Sequence, residues 1–241
     1  MFVDKRELVT LMTLGASPEL LVLGYLRNQR LVDAVSDIES ITVDWDVHAA
    51  AVKTRAGIER FDEKTAKRVV TTGCGQGTVF GDLMGELGSI HLPAADEPSA
   101  RLSQAALYGL LNAVRLQEST YKSAGSVHGC ALFRQAEMLR FVEDVGRHNA
   151  IDTLAGWMWM NDVDGADKIF YTTGRLTSEM VIKSAQLGVP IIVSRSGITQ
   201  MGHELATQLG LCLFGRATNR HFICYSGFER FDSQPEPVRS A

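Results

Sequence analysis

From about residue 126 the chain switches repeatedly between two hydrophobic periods, and that alternation is what most restricts its fold. Short apolar, β-branched or aromatic runs at 129–133, 138–142, 168–172, 190–194, 211–214 and 222–225 predict strands, the first two of them a hairpin. Helical spacing fills 149–160, 177–187 and 200–209. Strands separated by helices of ten or so residues pair in parallel through right-handed crossovers. The expected class is therefore α/β, a layered mixed sheet with helices on its faces. No internal repeat stands out.

The first part of the chain reads differently. Ser17-Pro18 marks a helix start, with serine at the cap and proline in the first turn. Residues 38–43, 47–52 and 68–72 are apolar enough for strands. A small α+β portion over 1–66 is expected, followed by the α/β domain over 67–230 and a frayed tail over 231–241. Within the domain, 93–99 is a polar connector. A long helix is predicted over 99–116 because Leu102, Ala106, Leu107, Leu110, Leu111 and Val114 fall on one face.

Composition narrows the partners. With 45% hydrophobic residues the chain can bury a full core without covalent staples. A net charge of −4 supplies no general attraction to a nucleic-acid backbone, so no nucleic-acid partner is expected. No apolar run approaches the roughly 18 residues of a membrane span, and no signal-peptide pattern opens the chain, so a cytoplasmic protein is expected. Four cysteines, none at two-residue spacing, form neither a disulfide framework nor a four-cysteine zinc site.

Cys74 is the exception among those four. In Thr71-Thr72-Gly73-Cys74-Gly75-Gln76-Gly77 an apolar run ends in a loop that puts a thiol among three glycines. Glycine removes the side chains that would screen the sulfur, and access together with thiolate fraction decides a cysteine's reactivity. Cys130, Cys212 and Cys224 sit in apolar strand-like runs and read as core.

Three further segments carry chemistry. Glu143-Asp144-Val145-Gly146-Arg147-His148-Asn149-Ala150 crowds acids, a cation, an imidazole and an amide into a strand-to-helix turn. One residue at a time, helix capping by Asp144 or Asn149 and pairing of Arg147 or His148 with Glu143 would account for it; as a set it suggests a site. Thr172-Thr173-Gly174-Arg175-Leu176-Thr177 has the glycine and hydroxyls of a phosphate cradle, with Arg175 as counter-charge. Phe214-Gly215-Arg216-Ala217-Thr218-Asn219-Arg220 reads as a loop between two strands, a binding loop or a plain hairpin turn.

Together these segments resemble the FdhD/NarQ formate dehydrogenase accessory sulfurtransferases. Asp144 to Ala150 matches that family's signature almost letter for letter. Gly174-Arg175 with Thr177-Ser178-Glu179 is similar to its second motif, and Leu11 to Ile41 to its opening helix and strand.

The resemblance implies a cytidine deaminase-like fold and a cytoplasmic, homodimeric protein. It would take sulfur from a cysteine desulfurase as a Cys74 persulfide and pass it to the bis-(molybdopterin guanine dinucleotide) cofactor of a formate dehydrogenase still in its apo form. It also implies that Phe214, Gly215, Arg216, Ala217, Thr218 and Asn219 contact the guanine end, for which GDP is a mimic. Arg147, His148, Gly174 and Arg175 would complete the cofactor site. The family's loop usually carries two cysteines, and Gly77 stands where the second would be, which keeps open a non-catalytic cofactor chaperone. A zinc deaminase is disfavoured, and no zinc is expected, because neither His-x-Glu nor Pro-Cys-x-x-Cys occurs.

Overall fold

The computed structural model describes residues 1–59, 61, 69–70, 77–78 and 87–234. Cys74 and the rest of 71–76 lie outside the described residues. The chain divides into two compact units assembled from separated stretches, 1–90 with 119–130 and 141–164, and 91–118 with 131–140 and 165–241. The sequence reading had placed a boundary between 66 and 67.

The first unit holds a four-stranded sheet in the order β2-β1-β4-β3, formed by β1 (Phe2–Val3), β2 (Arg6–Glu7), β3 (Ile38–Asp44) and β4 (Ala49–Thr54). The two-residue strands β1 and β2 are too short to leave a period in the sequence. α1 (Pro18–Asn28) starts at its proline and buries Leu21, Val22, Leu23, Tyr25 and Leu26. It crosses α4 (Arg147–Met160) at backbone contact: a Cβ on Gly24 would stand 1.7 Å from the Asp152 carbonyl oxygen, and one on Gly156 2.0 Å from that of Leu20. Beside this crossing Asn28 Nδ2 donates to Asp152 Oδ1 at 2.7 Å, away from water. A short hairpin, β5 (Val69–Val70) with β6 (Gly77–Thr78), flanks the segment that contains Cys74.

A six-stranded mixed sheet runs in the order β13-β12-β11-β10-β8-β9. Its members are β8 (His128–Arg134), β9 (Glu137–Asp144), β10 (Ile169–Thr172), β11 (Ile191–Ser194), β12 (Cys212–Thr218) and β13 (His221–Ser226). β10, β11 and β12 are parallel, and β13 returns antiparallel. The α/β expectation holds. An internal repeat, not evident beforehand, is present: β10 pairs β11 residue for residue at an offset of 22, from Ile169↔Ile191 to Thr172↔Ser194. The same offset relates Leu176 to Ile198, which form a parallel bridge, and α5 (Ser178–Gln186) to α6 (Gln200–Gln208). It also relates Gly188 to Gly210, both left-handed.

Several boundaries move. The helix expected over 99–116 is α2 (Gln104–Leu116), because the Ser103 side chain accepts from Ala106 N at 3.1 Å and starts it there. Leu102 lies in β7 (Leu102–Ser103), paired with β14 (Phe231–Asp232). Residues 231–234, expected to fray, are instead held by that pairing and by an Arg101–Asp232 ion pair.

Candidate functional site

In the second unit the carboxyl ends of three adjacent parallel strands meet, the place where such sheets gather ligands. Arg195 N donates to Thr172 O at 2.9 Å, Arg216 N to Ser196 O at 2.8 Å, and Leu176 N to Gly197 O at 3.0 Å. The hydroxyls of Ser194 and Ser196 donate to the carbonyls of Gly174 (2.7 Å) and Thr173 (2.9 Å). The loops after β10 and β11 are thus laced to each other and to β12. Gly174 and Gly215 are buried, whereas Arg175, Arg195 and Arg216 are exposed. Arg175 and Arg195 follow the ends of β10 and β11, and Arg216 stands within the adjoining β12, so three guanidinium-bearing residues lie on neighbouring strands and their loops, a suitable arrangement for oxyanions.

The segment Phe214 to Thr218, read from sequence as a loop, belongs to β12. The strand continues because β13 pairs with it as far as Thr218↔His221, with the register shifting between Gly215 and Thr218. The backbone is unusual at Arg216 (φ 52°) and Asn219 (φ 54°), where left-handed geometry is costly for a side-chain-bearing residue. Gly215 has no room for a side chain, since a Cβ there would stand 2.6 Å from the Tyr225 ring and 3.2 Å from Ser196 O.

The first unit carries the other predicted cluster. Only Val145 and Gly146 separate β9 from α4, so Arg147, His148 and Asn149 form the helix's first turn, and all three are buried. Asp144 is the hub. Its carboxylate accepts from Thr13 Oγ1, Leu14 N, Gly146 N and Asn149 Nδ2. Asn149 Nδ2 also donates to Met12 O at 2.6 Å, fastening residues 12–14 to the helix start. Glu143, expected near Arg147 or His148, serves α3 (Thr120–Ala124) by accepting from Thr120 N and Tyr121 N, each at 2.7 Å. Glu143 satisfies the first amides of α3, whereas α4 starts at Gly146 without a side-chain cap hydrogen bond, so Asp144 and Asn149 fasten residues 12–14 to the strand-to-helix turn rather than cap it as expected.

Sequence reasoning missed Ser194, Arg195 and Ser196; the signal available was their 22-residue offset from Thr172, Thr173 and Gly174. It also missed the ion pair of Lys183 with Glu179 (3.5 Å), which lies buried within α5 directly after the phosphate-cradle segment. A cavity of about 320 Å³ in the first unit, lined by Glu7, Leu11, Trp45 and His48 among others, left no trace in the sequence. Cys224, read as core, is only partly buried.

The model of the FdhD/NarQ family matches residues 1–232. The chain is 29% identical over 230 residues to the sulfur carrier protein FdhD of Listeria monocytogenes serotype 4b, with 95% of this chain and 87% of that protein covered. Against the protein of that name from Bacillus subtilis the identity is 29% over 225 residues, covering 93% and 84%. A crystal structure from Desulfotalea psychrophila, assigned to a formate dehydrogenase accessory protein, superposes with a TM-score of 0.73 at 24% identity, covering 95% of this chain and 86% of the other. It supports the mixed α/β fold.

Proposed function

The chain belongs to the FdhD/NarQ family, and from that premise we propose that it is a sulfur carrier for a formate dehydrogenase, with Cys74 holding the sulfur. The observation that carries this reading is the extent of the match, residues 1–232 of 241, with relatives named as sulfur carriers aligned over nearly their whole length. In the proposed reaction the Cys74 thiolate attacks the outer sulfur of a cysteine desulfurase persulfide. The sulfur–sulfur bond breaks, the desulfurase thiolate leaves, and Cys74 carries the new persulfide. The cargo's destination in this reading is the bis-(molybdopterin guanine dinucleotide) cofactor. Gly174, Arg175 and Arg216 bind its phosphates, and the segment from Phe214 to Asn219 reads the guanine. The fold would be a cytidine deaminase-like sheet used without zinc, in a cytoplasmic homodimer.

A chaperone that binds the cofactor without transferring sulfur is the second reading, favoured by Gly77 in place of a second loop cysteine. Incubation with a cysteine desulfurase and cysteine, followed by mass mapping, separates the two. A gain of one sulfur on Cys74 is expected, and a folded Cys74→Ala protein should leave the client formate dehydrogenase inactive. An unmodified Cys74, with full client activity from Cys74→Ala, would establish the chaperone instead.

A further inference from the structure

Cys212 and Cys224 lie on β12 and β13, neighbouring antiparallel strands. Phe214 is opposite Cys224, and Cys212, two residues before Phe214, points to the same face. Leu213 pairs with Ser226, so Tyr225 is an extra residue that bulges β13 beside the two thiols. The two side chains therefore lie on one face of adjacent strands, diagonal to each other across the bulge. Cys212 is fully buried, whereas Cys224 is partly open and reaches Ser226 O at 3.5 Å. Cys224 is thus the more open of the two residues and Cys212 the fully shielded one.

We propose that Cys212 and Cys224 form a peroxide-reactive dithiol in which Cys224 is oxidised first and Cys212 then closes a disulfide. The Cys224 thiolate attacks one oxygen of a hydroperoxide, the O–O bond breaks, and Cys224 becomes a sulfenic acid while the rest of the peroxide leaves as hydroxide or alkoxide. Cys212 sulfur then attacks the Cys224 sulfur; its proton and the sulfenic hydroxyl leave as water. The two thiols lose two electrons and the peroxide gains them.

The electrostatics assign the same roles. The hydrogen bond from Cys212 holds the Cys224 thiol below its ordinary range, opposed by burial, helped by backbone hydrogen bonding with Ser226 and opposed again by Glu229. Donating that bond to Cys224 pushes Cys212 up, as does its burial, with Arg230 opposing and Glu229 adding. The open sulfur is therefore the nucleophile, and the buried one keeps its proton until the second step.

The test treats the full-length protein with hydrogen peroxide under native conditions, then denatures it, alkylates the remaining thiols and digests with trypsin. Cleavage after Arg216 and Arg220 places the two cysteines on separate peptides. The expected product is a linked pair of peptides carrying Cys212 and Cys224, two hydrogens lighter than their sum and separated by dithiothreitol. Cys130, buried in β8, should remain fully alkylatable. The Cys212→Ala protein should stop at Cys224 sulfenic acid, trapped by dimedone, and Cys224→Ala should leave Cys212 unoxidised. Complete alkylation of both thiols after peroxide, or Cys212→Ala giving no dimedone adduct on Cys224, would overturn the proposal.

Discussion

Arg216 adopts a φ of 52° without being glycine, and a left-handed non-glycine residue costs about 1–2 kcal/mol. Strain of this kind concentrates where it serves a ligand. Arg216→Gly should therefore raise stability by about 1 kcal/mol in denaturant titration while weakening GDP and ADP alike, if its guanidinium serves the phosphates as proposed. On the same proposal Asn219→Ala should instead narrow an expected preference for GDP over ADP, because it would remove a group that reads the base. Calorimetric titration of both variants checks this, and an Arg216→Gly protein with unaltered nucleotide affinity would remove Arg216 from the site. Gly174, Arg175, Gly215 and Arg216 stand out in the sequence because glycine, arginine and hydroxyls between apolar runs have few ordinary uses, and the structure sets them on neighbouring strands and their loops. Arg195 does not stand out, since nothing local distinguishes its loop from any strand-to-helix turn.

At the scale of elements the clearest device is the α1–α4 crossing, where the helices touch through Gly24 and Gly156. Gly156→Ala should destabilise by about 3 kcal/mol, because two backbones must part to admit one methyl and a well-packed core cannot give way cheaply. Gly24→Ala should cost as much, and the double variant less than the sum, since one separation relieves both clashes. Thermal or denaturant unfolding of the three variants measures this. The sequence disclosed the helices themselves through proline, serine caps and apolar spacing, but a glycine inside a helix does not announce its partner. The tandem units were hidden for a related reason. Their equivalence lies in strand register and loop length, and the letters that repeat are few: Ile169 with Ile191, Thr177 with Thr199, and one run, Gln186-Leu187-Gly188 with Gln208-Leu209-Gly210. β12 ran past its predicted end because its continuation depends on β13, a partner whose register a one-dimensional pattern does not carry.

For the molecule as a whole, the consequential fact is that the first unit is not a contiguous stretch. α1 buries its apolar face partly on α4, more than a hundred residues later, and residues 12–14 are fastened to Asp144 and Asn149 at the start of that helix. The buried bond from Asn28 to Asp152 and that from Arg27 to Ala155 O join the same two regions. A fragment of residues 1–66, the portion a sequential reading separates, keeps the strands β1 to β4 but loses every one of these partners. Its exposed α1 face would leave several large side chains in water, each forgoing roughly 1.5–3 kcal/mol of burial, against a net domain stability of about 5–15 kcal/mol. The 1–66 fragment should therefore be unfolded on its own, with collapsed amide dispersion in NMR and no cooperative thermal transition. Adding residues 141–164 through a flexible linker should restore helical signal and a transition. A fragment that melts cooperatively alone would show that the small N-terminal sheet carries its own core and that the α1–α4 contact is secondary.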